Sequence, residues 1–287
     1  MIVVTGAAGF IGSVIIGYLN RQGVEDIIAV DNLGSGDKFR NLVGKRYRRL
    51  VMGIDEIDLS EVRAVLHCGA NSNTLETDWN SIYETNVKST REWHQLCSYK
   101  SIPFVFFSTA ALYGNGQGPE NLYAFSKLQS EMEIKTGVVL RLFNVYGPNE
   151  YHKGRMASVI KNWYEQLHSS NEIRVFRNSD QYHRDFIFVE DVARIVHHFL
   201  NNYQPGVYDI GTGNAVSFQT VADCVLTHHQ GKQVNIDMPA DLTKQYQSFT
   251  QADTTALANS GFDIRTMRDV ETGIAEYWNY LNTNSFY

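Results

Sequence analysis

The chain is poor in cysteine, poor in positive charge and devoid of long apolar runs. Its 287 residues include only Cys68, Cys97 and Cys224, none close to another in sequence. An odd number at such spacings provides neither a disulfide framework nor a zinc-ligand pattern, so reduced thiols in a cytoplasmic compartment are expected. Lysine and arginine total 25 against 31 aspartate and glutamate, giving a formal net charge of −6. Nucleic acid and anionic membrane surfaces require a basic face, and this balance argues against both. The one basic run, Lys45-Arg46-Tyr47-Arg48-Arg49, is short and reads as a solvated loop. No apolar stretch reaches membrane-spanning length. The segment MIVVTGAAGF has no basic n-region and runs straight into a motif, which speaks against a signal peptide. No repeat or low-complexity linker is visible, and the paired histidines at 197–198 and 228–229 have no third ligand nearby in sequence, so no metal site is expected.

What is present is a regular alternation. With 43% hydrophobic residues and 20% charged, the chain can bury a full core. Ile2–Thr5, Ile27–Val30, 64–66, 104–107 and Val138–Leu142 are continuous apolar runs, the mark of strands covered on both faces. Helical patterns lie between them at 11–20, 78–99 and 122–135. This alternation predicts an α/β fold with a doubly wound parallel sheet. Gly147-Pro148 then breaks the rhythm. Beyond it the patterns suggest a helix at 156–167, a strand at 173–176, a strand–helix–strand unit at 186–208 returning to the sheet, and helices at Phe218–His228 and 267–281. The expected division is a dinucleotide-binding domain at 1–145, joined by about 185–215, and a smaller C-terminal substrate-binding lobe spanning most of 146–287.

Gly6, Gly9 and Gly12 have the spacing G-x-x-G-x-x-G, directly after a strand and at the opening of a helix. In that setting the first glycine allows a tight turn, the second lets backbone approach a pyrophosphate, and the third lets helix and strand pack closely. With Phe10 and Ile11 they would present free helix N–H groups to the diphosphate of a nicotinamide dinucleotide in a Rossmann-like domain. Asp31 ends the second strand, where an acidic side chain meets the adenosine ribose. Alone it favours NAD. Asn32, Lys38 and Arg40 follow closely, and cations there suit a 2′-phosphate, so the balance leans to NADP, with NAD as the alternative.

Tyr123-Ala124-Phe125-Ser126-Lys127 is Y-x-x-x-K within a helical pattern. Residues four apart share a helix face, and an ammonium there is expected to lower the phenol pKa and ready Tyr123 for proton transfer. Ser108 or Thr109, at the end of the preceding strand, can donate a hydrogen bond to a substrate oxygen as its charge changes.

These segments, with HCGA at 67–70, the Asn86-Val87 pair, STAALYG and RLFNVYGP at 141–148, resemble the extended short-chain dehydrogenases/reductases over nearly the whole chain. The resemblance selects Thr109 over Ser108 and implies cofactor contacts at Asn86 and Val145 as well as at Tyr123 and Lys127. Narrower motifs, HKGRMASV at 152–159, RDFIFVEDVA at 184–193 and YQSFTQAD at 246–253, resemble the ADP-glycero-manno-heptose 6-epimerases. That likeness implies substrate contacts at Asn144, Arg155, Phe176, Arg184 and Tyr246, with Thr109 also touching substrate. It further implies a second acid/base at Lys153, which an epimerase working on both faces of one carbon needs unless the intermediate rotates past the tyrosine. Three features depart from the pattern: shorter segments at 43–63 and 114–123, and Cys68 where a glutamate follows the histidine.

The expected function is therefore a nicotinamide-dependent nucleotide-sugar epimerase, in a homo-oligomer. The rivals are a UDP-hexose 4-epimerase or another sugar-nucleotide enzyme of the same class, and a dinucleotide sensor without catalysis. A dehydratase needs an acidic pair after the threonine, where Ala110-Ala111 stands. The sensor reading predicts loss of the tyrosine and lysine, and both are present.

Overall fold

Short apolar runs without polar alternation become central strands, because both their faces must be covered. The computed structural model, which describes residues 1–239 and 247–287, bears this out. β1 (Ile2–Thr5), β2 (Ile27–Val30), β3 (Arg49–Val51), β4 (Ala64–His67), β5 (Phe104–Thr109), β6 (Val138–Leu142) and, later, a strand at Gly206–Ile210 form one parallel sheet. Running from its far edge, the order is Gly206–Ile210, β6, β5, β4, β1, β2, β3. The strand order therefore reverses between β1 and β4, and such a switch point opens a crevice at the carboxyl ends of the strands.

Helices cover both faces. α1 (Phe10–Arg21) follows β1. The predicted helix at 78–99 is built in three parts: α2 (Trp79–Ile82), a π-helical segment at Tyr83–Lys88, and α3 (Ser89–Lys100). α4 (Leu122–Glu133) begins at Asn121, whose side chain accepts from the Ala124 N–H at 2.8 Å. One buried cluster joins α1 to the sheet and a second joins α3 to the opposite face.

After β7 (Val145–Tyr146) come α5 (Val159–Ser170), β8 (Glu172–Phe176), β9 (His183–Asp185), β10 (Ile187–Phe188) and α6 (Val189–Asn201). β11 (Gly206–Ile210) then completes the main sheet, and β12 (Ala215–Ser217), α7 (Phe218–His228), β13 (Lys232–Ile236), β14 (Phe249–Thr250), α8 (Thr255–Asn259) and α9 (Val270–Thr283) follow. A third apolar cluster, with Trp163, Phe186, Val221, Ile274 and Tyr277, lies among α5, α7 and α9.

The structure corrects several expectations. Of the strand–helix–strand unit at 186–208, only the last strand returns to the main sheet; β10 pairs with β7 instead. α5 starts at Val159, because Ser158 caps it and residues Tyr151–Met156 form a separate 3-10 turn. α9 starts at Val270, because the Asp269 side chain accepts from the Thr272 N–H at 2.8 Å. The basic run is not wholly loop: Arg49 opens β3. Arg46 pairs with Glu25 at 2.6 Å and Arg48 with Asp26 at 2.6 Å. Among the described residues no helix is long and apolar enough to cross a membrane.

The later chain is locked to the sheet by buried carboxylates. Asp191, fully buried on α6, accepts from Arg194 at 2.8 Å, from the Arg268 guanidinium at 2.7 Å and from the Arg268 N–H at 2.9 Å. Removing one partner of a buried pair strands the other charge. Asp191→Ala is expected to destabilise the protein by about 3–5 kcal/mol, read as the shift in urea unfolding midpoint. A loss of less than about 1 kcal/mol, the range of a surface pair, would remove Asp191 as a lock.

Candidate active site

The crevice at the switch point is a cleft of about 940 Å³. Gly6, Gly9, Phe10, Ile11 and Gly12 line it from β1 and α1, and Cys68 and Gly69 from the end of β4. The backbone requirement for glycine is direct. Gly6 has φ +63°, and a Cβ there would stand 2.8 Å from the Cα and N of Gly69. A Cβ on Gly12 would strike the carbonyl oxygen of Gly6. No side chain caps the N-terminus of α1, so its first N–H groups and positive dipole end face the cleft. An uncapped helix start in a glycine cradle fits the diphosphate of a dinucleotide.

Asp31 stands at the mouth of this cradle, but both its oxygens are engaged. Oδ2 accepts from the Ala8 N–H at 2.8 Å, and Oδ1 from the Lys38 ammonium at 2.6 Å. Asp31 therefore braces the glycine loop while lining the cleft, with Asn32 and Lys38 beside it. Arg40 lies elsewhere, exposed and paired with Asp37 at 3.5 Å.

α4 brings Tyr123 and Lys127 to the same cleft. The phenol of Tyr123 is hydrogen-bonded to Thr109, yet burial pushes its pKa above the ordinary value. The expectation that Lys127 would lower it is not met. The Lys127 ammonium donates to the Phe107 carbonyl at 2.7 Å and lies 4.6 Å from the centre of the Phe106 ring. Burial pushes that ammonium down to about 8. Ser108 is tied elsewhere, donating to Glu131 Oε1 at 2.5 Å. Glu131 in turn receives Arg141 twice, from Nε at 3.0 Å and Nη2 at 2.7 Å. Of the two hydroxyls, Thr109 is the one that meets the phenol.

Another wall comes from later segments. Asn144, Val145, Lys153 and Arg184 line the cleft. The Lys153 ammonium lies 5.5 Å from the Phe10 ring centre; burial lowers its pKa and nearby Glu150 acts against the shift. Arg184 is buried, donates to the His183 carbonyl at 2.8 Å and lies over the Phe218 ring. Its neighbour Asp185 holds this wall in place. One oxygen accepts from the Thr212 N–H at 2.7 Å and hydroxyl at 2.6 Å; the other accepts from Gly213 N–H at 2.8 Å and Ala252 N–H at 3.1 Å.

Besides Arg40, three of the sequence candidates fall outside this cleft. Arg155 is exposed and borders a separate surface recess with Asn162 and Gln166. The cause is Gly154, whose φ of +51° reverses the chain and turns Lys153 and Arg155 to different sides. Phe176, at the end of β8, does not line the cleft. Asn86 is buried in the π-helical segment, and its amide is spent on Asn71 and Ser126 rather than on the cleft. Tyr246 lies outside the described residues. Sequence reasoning had passed over His152, Met156, Gln247 and Thr250, which do line the cleft. All four fall inside the narrow motifs at 152–159 and 246–253, which give them no individual role.

A parallel sheet ordered about a β1/β4 switch point, a glycine cradle and a Thr–Tyr–Lys set define a dinucleotide-binding enzyme of the short-chain dehydrogenase/reductase type. The chain belongs to the NAD dependent epimerase/dehydratase family, whose model matches residues 2–211. Solved structures of the same fold include the ADP-L-glycero-D-manno-heptose-6-epimerase of Helicobacter pylori, with TM-score 0.84, 24% identity and coverage of 98% of this chain and 96% of that one. The UDP-N-acetylglucosamine 4-epimerase of Methanobrevibacter ruminantium has TM-score 0.86, 21% identity and coverage of 99% and 98%. The UDP-glucose 4-epimerase of Thermotoga maritima has TM-score 0.84, 23% identity and coverage of 99% of both chains.

The buried ammonium of Lys127 gives a test. Its pKa falls from an ordinary 10.5 to about 8 on folding, so below pH 8 the folded state carries the full cost of the buried charge. That cost fades as pH rises toward 10.5. The melting temperature of Lys127→Met minus that of the wild type is therefore expected to be larger at pH 7 than at pH 10.5. An equal difference at both would show that the charge is not desolvated.

Proposed function

We propose that the chain is a nucleotide-sugar epimerase that inverts one carbinol carbon by oxidising and re-reducing it with NADP held in the cleft. We further propose an ADP-linked glycero-manno-heptose as the substrate. The observation carrying this reading is that two proton-handling groups from distant segments line one cleft: Tyr123, bonded to Thr109, and Lys153, beyond the NVYGP turn. The narrow HKGRMASV likeness supports the choice of sugar.

A bound nicotinamide dinucleotide supplies reversible hydride transfer. Gly6, Gly9, Phe10, Ile11 and Gly12 receive its diphosphate, and Lys38 offsets the charge of Asp31 where a 2′-phosphate would otherwise be repelled. Lys153, whose pKa burial lowers, takes the proton from the substrate hydroxyl on one face. The neutral phenol of Tyr123, bonded to Thr109, returns a proton to the carbonyl oxygen on the other face. Asn144 and Arg184 hold the sugar nucleotide, Arg184 at its diphosphate, and most of 146–287 serves as the substrate lobe. In a second scheme one tyrosine serves both faces and the intermediate rotates within the cleft.

Turnover of a panel of ADP-, GDP- and UDP-sugars, followed by NMR, is expected to give an epimer with no added cofactor and no lasting reduced-nicotinamide absorbance. Accumulation of reduced cofactor in step with product would make the protein a dehydrogenase. Tyr123→Phe and Lys153→Met are each expected to cut epimerisation by about 10²–10⁴, with folding checked by circular dichroism. Near-wild-type turnover by Lys153→Met would leave the rotating scheme in its place. In calorimetry NADP should bind at least as tightly as NAD, and Lys38→Ala should erode that preference; clear preference for NAD with Lys38→Ala indifferent would refute the phosphate assignment.

A further inference from the structure

The cofactor floor and α4 are joined by a line of hydrogen bonds that passes through Asn86 and whose direction the donors fix. The Gly69 N–H donates to Thr5 Oγ1 at 3.0 Å, and Thr5 Oγ1 lies 2.9 Å from His67 Nδ1. His67 Nε2 lies 3.0 Å from Thr90 Oγ1, which donates to the Asn86 carbonyl at 2.6 Å. The Asn86 amide donates to Ser126 Oγ at 2.8 Å, and that hydroxyl donates to the Tyr123 carbonyl at 2.7 Å. Thr90 has one hydroxyl proton and spends it on Asn86, so it must accept from His67 Nε2–H. A neutral imidazole with its proton on Nε2 has a bare Nδ1, so Thr5 must donate to it. The lone pairs of Thr5 are then free for Gly69, the residue packed against Gly6.

We propose that His67 is a positioning residue, held as the neutral Nε2–H tautomer, that couples the floor of the dinucleotide cleft to the helix bearing Tyr123. It rests on the proposed function only in naming that helix catalytic. Burial supports the neutral form, pushing the imidazole down to about 3, and Phe104 and Phe106 stack on the ring. The charged neighbour is Lys127 of α4, which disfavours a second positive charge. Each link has one proton and one direction. From Thr5 to Thr90, reversing one link forces the next to reverse or to stand unpaired, and Asn86 carries the constraint on covalently, its backbone carbonyl held by Thr90 and its side-chain amide by Ser126.

The tests need dinucleotide but no sugar, so they stand or fall apart from the epimerase reading. Long-range nitrogen–proton NMR on the wild type at pH 7 is expected to show His67 protonated on Nε2 alone; an Nδ1–H signature overturns the proposal. Thr90 is fully buried and does not line the cleft. Thr90→Val should nonetheless weaken NADP or NAD binding about 3- to 10-fold and mix the tautomers. Thr90→Ser should restore both. Thr5→Val cuts the same line at its other end, so adding Thr90→Val to it should cost less than about twofold more. Affinity within about twofold of wild type in Thr90→Val, or losses that multiply in the double variant, would overturn the coupling. Should Thr90→Val fail to fold, the wild-type tautomer still decides.

Discussion

The contact on which the rest depends is the approach of two backbones at the strand reversal. Gly6, leaving β1, and Gly69, leaving β4, come so close that no side chain fits between them. Neighbouring parallel strands are held about 4.8 Å apart by their ladder, and their outgoing chains would diverge from that spacing. The absence of two side chains lets them stay close, which opens a crevice bounded by α1 on one side and the end of β5 on the other. Asp31 then braces the loop through Ala8, and the Thr5 hydroxyl braces Gly69. Every group attributed to chemistry is placed relative to this pair.

α4 carries two kinds of work on one stripe. Tyr123, Lys127 and Glu131 recur at intervals of four, so one helical face presents a phenol, a buried ammonium and a carboxylate clamped by Arg141. Glu131 also receives Ser108, the residue next to Thr109. The clamp thus fixes the rotation of the helix against the very strand end that its tyrosine must meet. The cost of desolvating Lys127 is accepted because the helix cannot turn away from the sheet without breaking the clamp.

How much of this was readable from sequence follows from how local each feature is. The glycine loop and Y-x-x-x-K were legible because spacing along one turn or one helix determines what they can touch. The five runs predicted as strands all became strands, since continuous hydrophobicity has few other uses in a chain of this size. The orientation of Arg155 was not legible, because it hangs on the sign of one dihedral at Gly154. Neither was the true employment of Asn86, which depends on a π-helical segment that periodicity reads as ordinary helix. The phenol of Tyr123 was misjudged for a related reason. Spacing put Lys127 on the right face, but the carbonyl of Phe107, twenty residues away in sequence, draws the ammonium aside. Strands of two or three residues, such as β12 and β14, have no period to detect.

Asp185 has a consequence in time as well as in space. It accepts hydrogen bonds from Thr212 and Gly213, and from Ala252, 67 residues further along. A chain emerging from the ribosome in order can therefore close its nucleotide floor once β6 is made, while the wall bearing Arg184 must wait for residues near 250. The two halves of the cleft are born in sequence, and the half that recognises a dinucleotide exists before the half that would judge what is placed against it.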